Sequence, residues 1–237
     1  MRRSVVRRTA ALLTAAACAA SATGCALGSH AVAPVAAGKD YAFIAEAVNA
    51  SLPVYSTPGG RVLTRLSNPN SWHDQLVLLA TARSGDWLKV LLPIRPNGST
   101  GWVASSSVHV TWDPYRVVVD LSAHRLTLLD VGRPLLRAPV AVGAKSTPTP
   151  RGTFYITSLL RPPHPAGAYG PYAFGLSGYS PVLKSFAGGP GELGLHGTNA
   201  SWSIGRSVTH GCVRVRNSVI TMLAGRLPLG TPVVVTA

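Results

Sequence analysis

Residues 209–217 read Thr-His-Gly-Cys-Val-Arg-Val-Arg-Asn, and this stretch decides how the C-terminal part of the chain folds. Apolar and polar residues alternate through it, which is the period of a β-strand buried on one face. Val213 and Val215 are therefore predicted to face the core. The opposite face carries Cys212, Arg214 and Arg216.

Cys212 has the surroundings of a reactive thiol. Guanidinium groups on its own strand face favour the thiolate, which is the nucleophilic form, so we expect a lowered pKa. Gly211 permits a sharp turn immediately before the thiol. We therefore expect the N–H groups of Gly211 and Cys212 to point at a developing oxyanion.

A nucleophilic thiol needs a base, and two histidines are candidates. His196 ends the apolar run 193–195 and precedes Cys212 by 16 residues, a loop long enough to fold back on itself. His210 stands two residues before Cys212 and would share its strand face. The residues alone do not choose between them.

A metal site is the other common use of Cys and His side chains. Zinc takes three or four protein ligands at spacings such as C-x-x-C. One Cys, two His and no acid nearer than Glu192 make a poor set, so no metal is expected. Papain-like proteases also differ, because their Cys precedes the His in the chain.

The N-terminus, residues 1–24, has the pattern of an export signal. A basic start with four Arg is followed by 14 small and apolar residues, Thr9–Ala22, fewer than the roughly 20 that span a bilayer. Ala22 to Cys25 resembles a lipobox, in which the Cys becomes the lipidated first residue; an ordinary cut after Ala22 is the alternative. We expect an exported protein of the cell envelope, anchored through Cys25 to the outer face of the cytoplasmic membrane.

Composition narrows the function classes. The net charge is +14, yet only 13% of the 237 residues are charged, and Gly and Pro are frequent. These values exclude a disordered chain, a collagen and a coiled coil. The basic residues form no run with interleaved aromatics, so nucleic acid is not an expected partner. An anionic wall polymer suits the charge better.

The first folded segment, residues 40–111, follows a small-residue linker, residues 25–39. Turn clusters rich in Gly, Asn and Pro separate short β-rich runs, which is typical of a small barrel or sandwich. The runs are Ala47–Ala50, Leu76–Ala82, Trp87–Leu92 and Gly101–Ala104. The pieces Gly85–Val90 and Gly101–Val103 resemble bacterial SH3-like domains. Trp87 and Trp102 are interpreted as core aromatics.

The second segment, residues 115–237, restarts after a joint at Trp112-Asp113-Pro114. Strands are predicted at Arg116–Leu121, Arg125–Leu129, Leu135–Val142, Gly152–Ser158 and Pro232–Thr236. The stretch Leu160–Pro190 shows no helical period and is predicted to be a long functional loop. It carries aromatic residues that either cap the site or pack the loop: Tyr169, Tyr172, Phe174 and Tyr179. One helix is predicted, Ser218–Leu227, capped by Asn217.

Residues 115–237 resemble the L,D-transpeptidase (YkuD-like) catalytic domain. The family pattern is a His, a spacer, then Ser/Thr-His-Gly-Cys, an apolar residue, Arg and a nearby Asn. The matching residues are His196, Thr209, His210, Gly211, Cys212, Val213, Arg214 and Asn217. The resemblance implies a mainly β fold, with an L,D-transpeptidase β-sandwich and one short C-terminal helix following the SH3-like barrel.

The resemblance also implies roles. Cys212 is the nucleophile, His196 accepts and returns its proton, and the carbonyl of Gly197 orients the imidazole. His210, Gly211 and Thr209 support the site, while Arg214, Asn217 and Tyr169 contribute to the substrate pocket.

By the same resemblance, the substrates are peptidoglycan stem peptides, the product is a 3→3 cross-link, and no cofactor is used. Carbapenem β-lactams are expected to acylate the thiol. Water as acceptor would make a carboxypeptidase or endopeptidase, and a protein acceptor would make a protein–wall linking enzyme. A non-catalytic wall-binding lipoprotein is the alternative from another class.

Overall fold

The computed structural model describes residues 41–237, which form two packed β-structures. The export signal, the lipobox with Cys25 and the linker lie outside the described residues. Within 41–237 no helix is both long and apolar enough to cross a bilayer. The chain is mainly β with one α-helix over this range, as the sequence predicts.

The N-terminal sheet has seven antiparallel strands in the order β3-β2-β6-β5-β4-β1-β7. They are β1 Ala42–Ala47, β2 Ser51–Tyr55, β3 Val62–Ser67, β4 Val77–Ser84, β5 Trp87–Leu91, β6 Thr100–Ala104 and β7 Val108–Asp113. The predicted run Ala47–Ala50 was wrong, because β1 ends at Ala47 and the chain turns there. β3 lies at the sheet edge with no buried residue, so its sequence carries no alternation to detect. The SH3-like assignment stays a prediction.

The C-terminal part has ten strands and helix α1, Asn217–Ala224. The strands are β8 Tyr115–Asp120, β9 Arg125–Asp130, β10 Arg133–Pro139, β11 Val142–Gly143, β12 Gly152–Leu160, β13 Ala173–Tyr179, β14 Glu192–His196, β15 Ser207–Thr209, β16 Val213–Arg214 and β17 Pro232–Thr236. Eight of them follow the order β10-β9-β8-β17-β12-β13-β14-β16, and β11 pairs with β15.

Strand β12 joins the two layers of this sandwich. Its first half, Gly152–Tyr155, pairs with β17. Its second half, Ile156–Leu160, pairs with β13, with a register shift between Ile156 and Ser158. Apolar residues from both layers and from α1 form one buried core. β16, which follows Cys212, is the last strand of the second layer.

Two predicted elements need correction. The stretch Leu160–Pro190 is not one long loop, because β13 runs through its middle and buries Phe174 in the core. Gly residues at 175 and 178 hid the alternation of that strand. Helix α1 ends at Ala224, and its N-cap is Arg216 with no side-chain cap, so Asn217 is not the cap.

The two β-structures share a buried contact. On β12, Phe154 and Ile156 face the C-terminal core, whereas Tyr155 points the other way into the N-terminal core. The Tyr155 hydroxyl donates to the carbonyl of Leu91 at 3.3 Å. Only Pro114 separates β7 from β8, so the joint leaves the two parts in direct contact.

Candidate active site

Strand β14 supplies one face of the site. Its burial alternates, with Leu193 and Leu195 in the core. The residues between them, Glu192, Gly194 and His196, therefore share the opposite face. All three line a cavity of about 490 Å³.

Cys212 lies beside Gly194, in the middle of that face. The backbone of Gly194 acts to lower the pKa of the thiol. A methyl group at position 194 would lie 3.7 Å from the Cys212 sulfur and 3.7 Å from Cδ2 of His196. Parallel pairing of β14 with β16 (Leu195 beside Val213) fixes this arrangement. Gly194 was not predicted as a site residue, although a Gly inside a strand is a signal of close backbone approach.

The turn that precedes the thiol is held by Thr209. Gly211 has φ of +117°, a backbone conformation that favours glycine. Its N–H donates to Oγ1 of Thr209 at 3.1 Å, and that hydroxyl donates to the carbonyl of Cys212 at 2.6 Å. The expectation that the Gly211 N–H points at an oxyanion was wrong, because this N–H already donates its hydrogen bond to Thr209.

The His196 imidazole is buried, with only 3% of the residue exposed. Its Nδ1 lies 2.6 Å from the carbonyl oxygen of Gly197. The ring of Tyr169 packs against it with centroids 4.8 Å apart. Burial lowers the pKa of His196 to about 4, since the Gly197 bond that raises it is outweighed and Arg214 lowers it further.

Burial also raises the pKa of Cys212 above its ordinary value. The Gly194 backbone and the charge of Arg214 both act to lower it, but desolvation is the larger effect. The expectation of a lowered thiol pKa was therefore wrong: the guanidinium acts in the predicted direction and is outweighed by a burial that the local sequence does not reveal.

The other predicted site residues lie around this pair. His210 is exposed, and its ring lies 5.0 Å from that of Phe186. Arg214 is half-buried, and its Nε is buried without a hydrogen-bond partner in the described chain. Asn217 accepts a hydrogen bond from the N–H of Thr198 at 2.8 Å and so braces the segment that follows His196.

Both β-structures build the cavity. The C-terminal part contributes its floor, and Trp72 from the loop between β3 and β4 contributes part of a wall. Trp72 was not predicted as a site residue, because nothing in the sequence of the N-terminal segment indicates which residues face the second segment. Other residues of the lining are Leu160, Arg161, Pro162, Pro163, Tyr169, Ala173, Phe174, Gly175, Phe186, Ala187, Gly189, Pro190 and Leu193.

The wall segment, residues 180–191, is held by Arg95, which lies in the loop between β5 and β6 of the N-terminal part. Its guanidinium donates to the carbonyls of Ser180, Leu183 and Pro190 at 2.8, 3.0 and 2.9 Å. It also lies 4.8 Å from the centre of the Tyr179 ring.

Comparisons with known proteins agree on one family. The family model described as the L,D-transpeptidase catalytic domain matches residues 114–235. Over 151 residues the chain is 34% identical to a YkuD protein of Bacillus subtilis named as an L,D-transpeptidase, covering 61% of this chain and 84% of that one. The chain belongs to the L,D-transpeptidase family.

Other matches within the L,D-transpeptidase family span a smaller part of the relative's length. A YkuD protein of Bacillus licheniformis is 38% identical over 123 residues, which is 52% of this chain and 66% of the relative. The solved structure of an Enterococcus faecium L,D-transpeptidase C442S mutant is 22% identical with a TM-score of 0.40. That match covers 52% of this chain and 49% of the other.

Proposed function

We propose that the protein is a peptidoglycan L,D-transpeptidase that forms 3→3 cross-links through a thioester on Cys212. The observation that carries the proposal is that the Cys212 thiol and the His196 imidazole both border Gly194 in one cavity. A nucleophile beside a base in a partly closed cleft is the arrangement that covalent acyl transfer requires. Family membership supplies the reaction class.

Acylation starts from a neutral pair. The Cys212 sulfur attacks the carbonyl carbon of the third residue of a tetrapeptide stem while its proton passes to His196. Because Nδ1 faces a carbonyl oxygen, it carries the proton and Nε2 is free to accept. Collapse of the tetrahedral intermediate breaks the amide bond, and the departing D-Ala amine takes the proton from His196.

Transfer to the acceptor repeats these steps in reverse order. A neutral side-chain amine of a second stem attacks the thioester carbonyl and gives its proton to His196. The new amide forms as the C–S bond breaks, and the sulfur recovers the proton. One amide replaces another, so the reaction needs no cofactor and no energy source.

The surrounding residues hold this pair in place. The carbonyl of Gly197 and the ring of Tyr169 fix the imidazole plane. Thr209 and Gly211 shape the turn that presents the thiol. The Arg214 guanidinium is suited to binding the carboxylates of the stem peptide. Asn217 supports the site by accepting a hydrogen bond from Thr198, and His210 supports it by packing against Phe186.

The test is mass spectrometry of the products formed from a muropeptide that carries tetrapeptide stems. A cross-linked dimer with release of D-Ala supports the proposal. A tripeptide alone would identify a carboxypeptidase, and joining of the stem to an added protein would identify a wall-linking enzyme. Unchanged muropeptide would favour the non-catalytic alternative. Cys212→Ala is the control and is expected to abolish every product, as well as the covalent adduct with a carbapenem.

The proposal places the enzyme in the cell envelope, lipid-anchored through Cys25. Support comes from the sequence pattern of residues 1–25 and from a substrate that lies outside the cytoplasmic membrane. Cys25→Ala is expected to move the protein from the membrane fraction to the wall or the medium. Unchanged fractionation of the variant would exclude the lipid anchor without touching the catalytic assignment.

A further inference from the structure

The active-site cavity contains one acidic group among its described lining residues, the carboxylate of Glu192. It lies on the same face of β14 as Gly194 and His196. The other charged or ionisable lining residues are Arg161, Tyr169, His196 and Cys212. A carboxylate that is held partly out of water is stabilised by a nearby cation.

Glu192 is held in place by the loop between β3 and β4 of the N-terminal part. Nε1 of Trp72 donates to Oε2 of Glu192 at 3.0 Å, which leaves Oε1 for a ligand. Trp72 is anchored in turn, because its backbone N–H donates to Oδ1 of Asn70 at 2.9 Å. Nδ2 of Asn70 donates to the carbonyl of Thr157 on β12, also at 2.9 Å. The carboxylate is thus oriented by a chain of contacts that crosses between the two β-structures.

The position of Glu192 relative to the thiol indicates which part of the substrate it meets. Gly194, beside the sulfur, is flanked by His196 on one side and by Glu192 on the other, each about 7 Å away along a strand. The leaving amine and the incoming amine must both sit on the His196 side, where their protons are exchanged. Glu192 therefore faces the acyl group that stays on the sulfur.

The chemistry of the acceptor points the same way. An amine can attack the thioester only when it is neutral. A carboxylate beside the acceptor would favour its ammonium form and slow the attack. A carboxylate beside the donor has no such effect, because the ammonium on a donor side chain does not react.

We propose that Glu192, oriented by Trp72, binds the side-chain ammonium of the residue that donates the acyl group. The ligand is a primary ammonium on a four-carbon stem, a length that suits the spacing of two residues on a strand. The indole ring of Trp72 covers the apolar part of that stem. This inference rests on the proposed function, and it makes the enzyme selective for donors whose third residue carries an unmodified amine.

The experiment compares D-Ala release from paired tetrapeptides. Their third residue is diaminopimelate or lysine, each with the side-chain amine either free or acetylated. Glu192→Gln is the test variant, because an amide oxygen still accepts the Trp72 hydrogen bond. Asp86→Asn, at an exposed turn remote from the cavity, is the control for lost negative charge.

The parent and Asp86→Asn are expected to favour the free amine by about tenfold in kcat/KM, in line with a hydrogen bond to a charged group. Glu192→Gln is expected to lose this preference, because its kcat/KM should fall for the free-amine donors alone. A parent with no preference, or a Glu192→Gln variant that keeps it, would overturn the inference. So would a variant with normal D-Ala release and a lower ratio of cross-linked to hydrolysed product, which would place Glu192 at the acceptor. A parent that releases D-Ala from none of the four donors would overturn the proposed function, and the inference with it.

Discussion

Nδ1 of His196 lies 2.6 Å from the carbonyl oxygen of Gly197, the next residue in the chain. A carbonyl oxygen can only accept, so Nδ1 carries the proton and Nε2 has a free lone pair. The carbonyl fixes the ring without adding the negative charge that a carboxylate would bring. With the ring also buried, its pKa falls to about 4, and the resting site holds a neutral imidazole and a neutral thiol.

A neutral resting pair predicts the pH dependence of thiol alkylation. Since burial raises the pKa of Cys212, iodoacetamide is expected to react quickly only above the pH at which an ordinary thiol ionises. His196→Ala is expected to leave this curve nearly unshifted while it slows acylation by D-Ala donors by about 10²–10⁴-fold, the usual value of general acid–base help. Intact-mass kinetics from pH 5 to 10 measure both. Fast alkylation of the parent near pH 6 would instead show a preformed thiolate–imidazolium pair.

The lowered pKa of His196 also predicts how the stability of the protein depends on pH. Its pKa falls from 6.5 to about 4 on folding, so between these values the unfolded chain binds the proton and the folded protein does not. The free energy of unfolding is therefore expected to fall by about 3 kcal/mol as the pH drops from 6.5 to 4.

Urea unfolding of the parent and His196→Ala at pH 7 and pH 4.5 isolates this contribution. Glu192 and Asp113 have raised pKa values and act in the opposite direction, but they are common to both proteins. The difference between the two pH dependences should therefore report His196 alone. Parallel pH dependence in the two proteins would contradict a buried, neutral imidazole.

The strand around Cys212 could be predicted from the sequence because its residue pattern is local. Alternation over 212–216 places Val213 and Val215 in the core, and both are buried. The thiol and one of the two candidate histidines meet in the cavity, while His210 lies exposed on Phe186. The choice that residue patterns left open depended on the pairing of β14 with β16, which is a long-range contact.

The walls of the cavity could not be predicted, because they depend on how the two β-structures pack. Trp72 and Arg95 lie far from Cys212 in the chain and carry no motif. The thiol pKa was missed for the same reason: the guanidinium of Arg214 can be read from the strand period, but the burial that outweighs it is a property of the assembled site.

The hydrogen bonds of Arg95 predict that the N-terminal part of the protein maintains the substrate cleft. Three carbonyls of segment 180–191 depend on its guanidinium, and Lys184 within that segment is a trypsin site. Arg95→Ala is expected to speed cleavage after Lys184 by at least about tenfold, since a hydrogen bond to a charged group contributes about 1.5–3 kcal/mol. D-Ala release should fall with it, because Phe186 and Pro190 lose their support.

Arg83→Ala is the matched control, since Arg83 donates only locally, to the carbonyl of Gly85 at the surface. Arg95→Lys keeps the charge but cannot span three carbonyls, so it should give an intermediate cleavage rate. Equal trypsin sensitivity of Arg95→Ala and the parent would show that the wall segment holds itself in place.

The close contacts at Gly194 predict that a larger residue there would obstruct the reacting groups. Its Cα hydrogen faces both groups, and an Ala side chain there would contact the sulfur and His196 Cδ2 at 3.7 Å and the carbonyl of Phe174 at 3.3 Å. A shift of a few tenths of an ångström at the Phe174 carbonyl would relieve the tightest contact, so Gly194→Ala is expected to fold. The added methyl group would occupy the space through which the donor carbonyl reaches the sulfur, and a displacement of about 1 Å at a reacting centre can cost about 10²-fold in rate.

The measurement is the rate of carbapenem adduct formation on Cys212 by intact mass, with Gly225→Ala as the control because only ordinary contacts of 3.7 Å surround that position. Adduct formation at the parent rate in Gly194→Ala would show that the acyl donor approaches Cys212 from a side that β14 does not border.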